Sequence, residues 1–313
     1  MAKGDDGEMK IAICKVDKTR FPNLALLKLS AWHKKQGHTV SQYVPLMAGL
    51  YDKVYASKVF TWTQGNEYLT GNVDRGGTGY KMNNVLSDEI EHICPDYTGL
   101  DFSLGFLTRG CPNKCSWCIV PKKEGNIRPH ADIEEFARHK KVVLMDNNVL
   151  AHNHGIEQIE KMARLGLKVD FNQGLDARLI DDGVAKRLSK LRWIRHIRMA
   201  CDRKDQMPHI EKAVKLLSKY DVKPYRIFVY CLVKYIPDAL ERVEFLRELG
   251  VDPFAQPYRD FENHEPDMEL RRFARWVNHK AIFKTVKWNE YAAQRLEENG
   301  QATSLLRLRG GRQ

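Results

Sequence analysis

The chain has no uninterrupted apolar run of the ~18 residues that a membrane-crossing helix needs. Its first ten residues, MAKGDDGEMK, are polar and carry acidic groups, which fits neither a secretory signal nor a transit peptide. A soluble, cytoplasmic protein with no membrane partner is the expectation. No short-period repeat and no low-complexity segment stands out. Cysteine is sparse outside one place. Of seven cysteines, Cys14, Cys94, Cys201 and Cys231 are scattered singly, while Cys111, Cys115 and Cys118 crowd into eight residues. An odd count without a secretion signal argues against a disulfide framework.

The 313 residues give room for one large domain or two modest ones. Hydrophobic content of 43% and charged content of 29% are those of a globular protein. The formal charge of +11 raises the expectation of a polyanionic partner such as nucleic acid. A mildly basic soluble enzyme fits the same number.

Hydrophobic patterning predicts a strand at 9–16, a helix from Pro22 to Gly37, and further strands at 38–46 and 53–62. A Gly-rich linker is expected at 72–83 and an acidic helical stretch at 87–93, so residues 1–100 read as a small Rossmann-like α/β region plus linker. From residue 101 strand-like runs (FSLGFL, KKVVLMD, LKVDFNQ, IRHIRMACD, YRIFVYCLV, DPFAQPY) alternate with helical ones. That alternation predicts a parallel sheet. Six units suit an open, partial TIM-like (β/α)6 barrel over 101–262. Residues 263–313 read as C-terminal helices with a mobile tail. Phe273, Trp276, Val277, Phe283 and Val286 fall on one face there, with Arg271, Arg272, Arg275, Lys280, Lys284 and Lys287 around it. A helix packed on the domain with a solvated basic face fits this pattern, and so does a phosphate-contacting surface. The LRLRGG string near the end resembles the end of ubiquitin, but Arg312 and Gln313 follow it, and the likeness is read as coincidence.

The cysteine triplet carries the chemistry. TRGCPNKCSWCIVPKKEG, residues 108–125, reads C-x3-C-x2-C. Thiolates are natural ligands of iron–sulfur clusters. Three on one tight loop can hold three irons of a cubane and leave the fourth without a protein ligand. Gly110 gives the backbone freedom at that loop, and Lys114, Lys122 and Lys123 bring positive charge. Zinc held by the three cysteines and a histidine, nearest His130, is the competing reading, although zinc sites usually pair their ligands. On that reading the chain is a binding module and not an enzyme.

The triplet, with Trp117 just before its last cysteine and a strand just before its first, resembles the signature of the radical S-adenosylmethionine (SAM) superfamily. The resemblance implies a [4Fe–4S] cluster on Cys111, Cys115 and Cys118 that chelates and reductively cleaves SAM. The resulting 5′-deoxyadenosyl radical would act on a substrate the sequence does not identify. A one-electron reductant of flavodoxin or ferredoxin type is implied as partner. Trp117 would shape the adenine side. The polar strand ends at Asp146, Asn147 and Asn148, then Gln173 and Arg178, then Asp202, would bind SAM. CSWCIVPKKEG is similar to the cluster loop of the methylthiotransferases, but the N-terminal region offers only Cys14 and Cys94 where that branch carries a second cysteine set. Methylation or sulfur insertion on tRNA is the alternative function. The N-terminal segment is similar to the domain of cobalamin-dependent members. It lacks their D-x-H-x-x-G string, so a degenerate domain kept for packing or docking is favoured over cobalamin binding.

Overall fold

Four apolar residues in a row, Ile11 to Cys14, make a strand buried on both faces, as parallel sheets require. In the computed structural model, which describes residues 7–64, 68–259 and 265–293, this strand (β1, Lys10–Lys15) is central. Its sheet runs β2 (Thr39–Gln42), β1, β3 (Lys53–Ser57), β4 (Val73–Gly76), all parallel. Helix α1 (Leu24–Lys35) starts where the Asn23 side chain accepts from the Leu26 amide, and it buries Leu26 and Leu29. Gly37, at φ +86°, lets the chain leave it.

Three expectations change here. Strand β2 stops at Gln42 and not near residue 46, and a 3-10 turn over Pro45–Leu50 follows it. Strand β3 stops at Ser57 and not near residue 62. Asp17, at the end of β1, accepts from the amides of Val59 (2.6 Å) and Phe60 (3.3 Å) and from the Thr63 hydroxyl (2.6 Å), which turns the chain out of the sheet. The expected linker at 72–83 supplies β4 instead. Its glycines serve close approach: a Cβ on Gly77 would lie 2.4 Å from the Lys58 carbonyl oxygen, and one on Gly79 2.7 Å from that of Phe60. A short helix, α2 (Asp88–Glu91), follows.

The same unit, which takes in 7–173 and 190–195, holds a second parallel sheet ordered β10 (Arg192–Trp193), β9 (Lys168–Phe171), β8 (Lys141–Leu144), β5 (Ser103–Gly105). Between β5 and β8 the chain forms a two-stranded antiparallel hairpin, β6 (Thr108–Arg109) with β7 (Arg128–Pro129). The cysteine loop and helix α3 (Val120–Lys123) lie inside that hairpin, and α4 (Ile133–Phe136) follows it. Helix α5 (Asn153–Arg164) buries Ile159 and Met162.

The other unit takes up at Gly174. It contains α6 (Asp182–Ser189) and a three-stranded parallel sheet, β11 (Ile197–Ala200), β12 (Ile227–Val233), β13 (Asp252–Pro257). Helices α7 (Met207–Lys219) and α8 (Ile236–Glu248) alternate with these strands. The alternation of strand and helix foreseen after residue 101 is therefore present, as parallel sheets in two units. Two C-terminal helices follow, α9 (Met268–Asn278) and α10 (Lys280–Thr285). Asn278 donates to the Ala255 carbonyl (3.0 Å) and accepts from the Ala255 amide (2.8 Å), so its side chain caps the open edge of β13 as a strand would. Phe273, Trp276, Val277 and Phe283 are buried as expected, while Arg275, Lys280, Lys284 and Lys287 are exposed. The LRLRGG string lies outside the described residues. No helix among the described residues is long and apolar enough to cross a membrane.

Candidate metal centre

The loop bearing Cys111, Cys115 and Cys118 starts at the end of β6. Gly110 has φ +80°, and a Cβ there would meet the Asn126 carbonyl oxygen at 2.2 Å, so no other residue fits. The Cys111 amide donates to the Gly125 carbonyl (3.1 Å), and the Cys118 amide to that of Cys115 (3.0 Å). All three cysteines are half-buried, and no disulfide forms among the described residues. Trp117 beside them is half-buried as well.

Three polar residues just after β8 hold this loop or the residues flanking it. Asp146 is 3% exposed. It accepts from the amide of Leu107 (3.1 Å), from the amide of Thr108 (2.6 Å) and from the Thr108 hydroxyl (2.7 Å). It therefore fastens the strand that delivers the cysteines. Burial pushes its carboxyl up to about 6, against the pull of those bonds. Asn147 Nδ2 donates to Glu124 Oε2 (2.9 Å). Asn148, almost fully buried, donates through Nδ2 to Cys111 Sγ (3.7 Å). Hydrogen bonds to a ligating sulfur are among the features that tune iron–sulfur sites.

Glu124, a residue that the sequence pattern did not single out, closes the loop. Its Oε2 accepts from the Gly110 amide (3.0 Å), and its Oε1 pairs with Arg109 (3.3 Å). The Arg109 guanidinium lies 4.0 Å from the centre of the Phe106 ring. Of the three lysines expected near the triplet, Lys123 donates to the Thr78 hydroxyl on the glycine loop after β4. Burial lowers its pKa.

A charged cluster borders the same region. Lys28, on α1, is 5% exposed and pairs with Glu91 at 3.3 Å. Burial alone would raise the Glu91 carboxyl, but the His130 hydrogen bond and the charges of Lys28 and Arg109 hold it at about 2. His130, the expected fourth ligand of a zinc site, is thus turned to Glu91 (3.3 Å) and packs on His92 and Phe106.

Of the remaining residues expected to contact SAM, Arg178 and Asp202 have partners of their own after other strands. Gln173 is exposed at the end of β9. In the other unit Arg178 makes a two-pronged bond with Asp176 (2.8 and 2.7 Å). There too Asp202 accepts from the Leu232 amide (2.9 Å), which ties β11 to β12, and burial raises its carboxyl. Arg242, also missed from sequence, is 1% exposed and clamps the same strand ends through the carbonyls of Cys201 (2.6 Å) and Leu232 (2.9 Å). Cys201 and Cys231 are wholly buried. Burial raises the Cys201 thiol to about 12 and the Cys231 thiol well above its ordinary value.

Among the described residues no three His, Cys, Asp or Glu side chains converge to hold a metal ion. The donor chemistry of the triplet nonetheless fits a cluster: three half-buried thiols on eight residues, one already accepting an N–H bond at sulfur.

No protein-family model matches the chain. Two curated relatives match part of it. One is the ribosomal protein uS12 methylthiotransferase RimO of Hydrogenovibrio crunogenus, 23% identical over 174 residues, or 53% of this chain and 34% of that protein. The other is the protein of the same name from Rhodopseudomonas palustris, 26% identical over 128 residues, or 38% of this chain and 26% of that protein. The matched stretches thus span about a third or less of the relatives' length. A solved structure of a XylFII–LytSN complex mutant aligns with a TM-score of 0.16 and 16% identity, too low to carry an argument. The chain is distantly similar to methylthiotransferases over about half its length at most.

Proposed function

We propose that the chain is a radical SAM enzyme whose cluster is held by Cys111, Cys115 and Cys118. The observation that carries this reading is the fastening of the C-x3-C-x2-C loop and its two flanks to the residues just after β8: Asp146 holds Thr108, Asn148 donates to Cys111, and Asn147 donates to Glu124. A [4Fe–4S] cluster bound there would supply the electron that cleaves SAM. The chain's own residues do the holding. Asp146 fixes residues 107–108, Glu124 joins the two ends of the loop, and Asn148 donates to the Cys111 sulfur. On this reading Asp146, whose oxygens serve the loop, is a positioning residue. Trp117, Asn147, Asn148, Gln173, Arg178 and Asp202 remain the proposed SAM contacts. The division of the chain into 1–100, 101–262 and 263–313 goes with this proposal.

Anaerobic reconstitution with iron and sulfide tests it. About four irons per chain are expected, with release of 5′-deoxyadenosine from SAM under reduction. One zinc, no sulfide and no SAM cleavage would point to a structural metal in a binding module.

The two relatives favour methylthio transfer as the specific reaction. That reading needs a sulfur source. The first hundred residues offer only Cys14, buried against Tyr68, and Cys94, half-buried beside Pro95. Mass spectrometry of ribosomal protein uS12 and of tRNA after incubation with the reconstituted enzyme separates a protein from an RNA acceptor. An unchanged mass in both removes this second reading and leaves the first intact.

A further inference from the structure

We infer that Glu124 is the positioning residue that keeps the cysteine loop closed around its cluster, an inference that rests on the cluster reading above. Glu124 lies six residues beyond Cys118, and its partner Gly110 lies one residue before Cys111. One carboxylate therefore spans the whole ligand segment. Oxygen Oε2 takes the Gly110 amide at 3.0 Å and the Asn147 amide group at 2.9 Å, and Oε1 takes Arg109 at 3.3 Å. Its side chain is only 10% exposed, so water competes little for these bonds.

The arrangement needs a carboxylate and not merely a polar group. All three partners are donors, and a carboxylate is acceptor-only. A glutamine of the same shape keeps one accepting oxygen and turns an NH2 group toward either Arg109 or the pair formed by Gly110 and Asn147. The neighbouring chain cannot replace the lost bonds cheaply. The Gly110 amide is fixed by a left-handed backbone, and Arg109 is held against Phe106. Freeing the two ends of the loop restores conformational freedom that the thiolates must then overcome to stay on one cluster. Partners of metal ligands that act in this way typically change metal affinity by about 10- to 100-fold.

The test uses the full chain reconstituted anaerobically and read by iron and sulfide content and by the rate of iron loss to a chelator. Glu124→Gln is expected to load iron but to lose it about tenfold faster than wild type. Asn147→Ala, which removes one of the three bonds, is expected to lose it a few-fold faster. Glu157→Gln, on the exposed side of α5, is expected to match wild type. If Glu124→Gln does not fold, the comparison of Asn147→Ala with Glu157→Gln decides. Equal release rates in wild type, Glu124→Gln and Asn147→Ala would overturn the role of Glu124 alone. A wild-type chain that takes up no iron and sulfide would instead overturn the cluster reading.

Discussion

Asp146 Oδ1 receives both the amide of Thr108 at 2.6 Å and its hydroxyl at 2.7 Å, so a single buried oxygen anchors the strand that leads into the cysteine loop. Replacing Asp146 by alanine leaves the Leu107 and Thr108 amides buried without that acceptor. A loss of about 2–4 kcal/mol is expected, measurable by urea denaturation. The pH dependence has a definite sign. The carboxyl is held at about 6 in the folded chain, above its ordinary 3.8, so the folded state binds the proton more tightly. Its contribution is fully present below pH ~4 and is lost as pH rises through about 6. The stability of wild type relative to Asp146→Asn should therefore fall across that window. A difference that stays flat would contradict it.

Glu91 behaves in the opposite sense. Its carboxyl is held at about 2, below its ordinary 4.5. Its stabilisation is present above pH ~4.5 and fades as pH falls toward 2. Glu91→Gln should be less stable than wild type near neutral pH, because Lys28 is left buried without its charge partner. A cost of about 2–3 kcal/mol is expected, below the usual figure for a fully buried pair because Glu91 is partly exposed. Acid titration should bring the two curves together.

Gly110→Ala forces a Cβ to within 2.2 Å of the Asn126 carbonyl oxygen at a left-handed backbone position. The expected result is a folded chain with strongly reduced iron uptake, since the strain falls on the loop and not on either sheet. Far-UV circular dichroism and iron analysis together check this. Normal iron loading would contradict it.

Thiol accessibility separates the cysteines. In the metal-free native chain Cys111, Cys115 and Cys118, all half-buried, should be alkylated readily. Cys201 and Cys231, wholly buried and raised by that burial, should react only after unfolding. Peptide mapping after timed iodoacetamide labelling reads this out. Fast labelling of Cys231 would contradict the packing of β12.

Much of the architecture was legible because apolar runs and helical periodicity report burial directly. The strands near 10–15, 141–144, 168–171 and 227–233 and the helices between them followed from pattern alone. What pattern missed depended on long-range contacts. The segment 72–83 reads as a linker because glycines look flexible, yet Gly77 and Gly79 are needed where their backbone meets Lys58 and Phe60. The bonds from the Asn278 side chain to the Ala255 backbone tie α9 to β13, which no periodicity records. Within the site the cysteines were plain, but Glu124 sat unnoticed behind two lysines. Its importance arises only when Gly110, Arg109 and Asn147 are brought to it.

The most direct measurement of the central reading is iron, sulfide and 5′-deoxyadenosine in one anaerobic preparation, compared between wild type and a Cys111→Ala, Cys115→Ala, Cys118→Ala triple variant. Wild type should carry about four irons with matching sulfide and release 5′-deoxyadenosine from SAM when reduced. The triple variant should be folded, colourless and inactive. A triple variant that binds the same cluster and cleaves SAM as well as wild type, or a wild type that does neither, would contradict it.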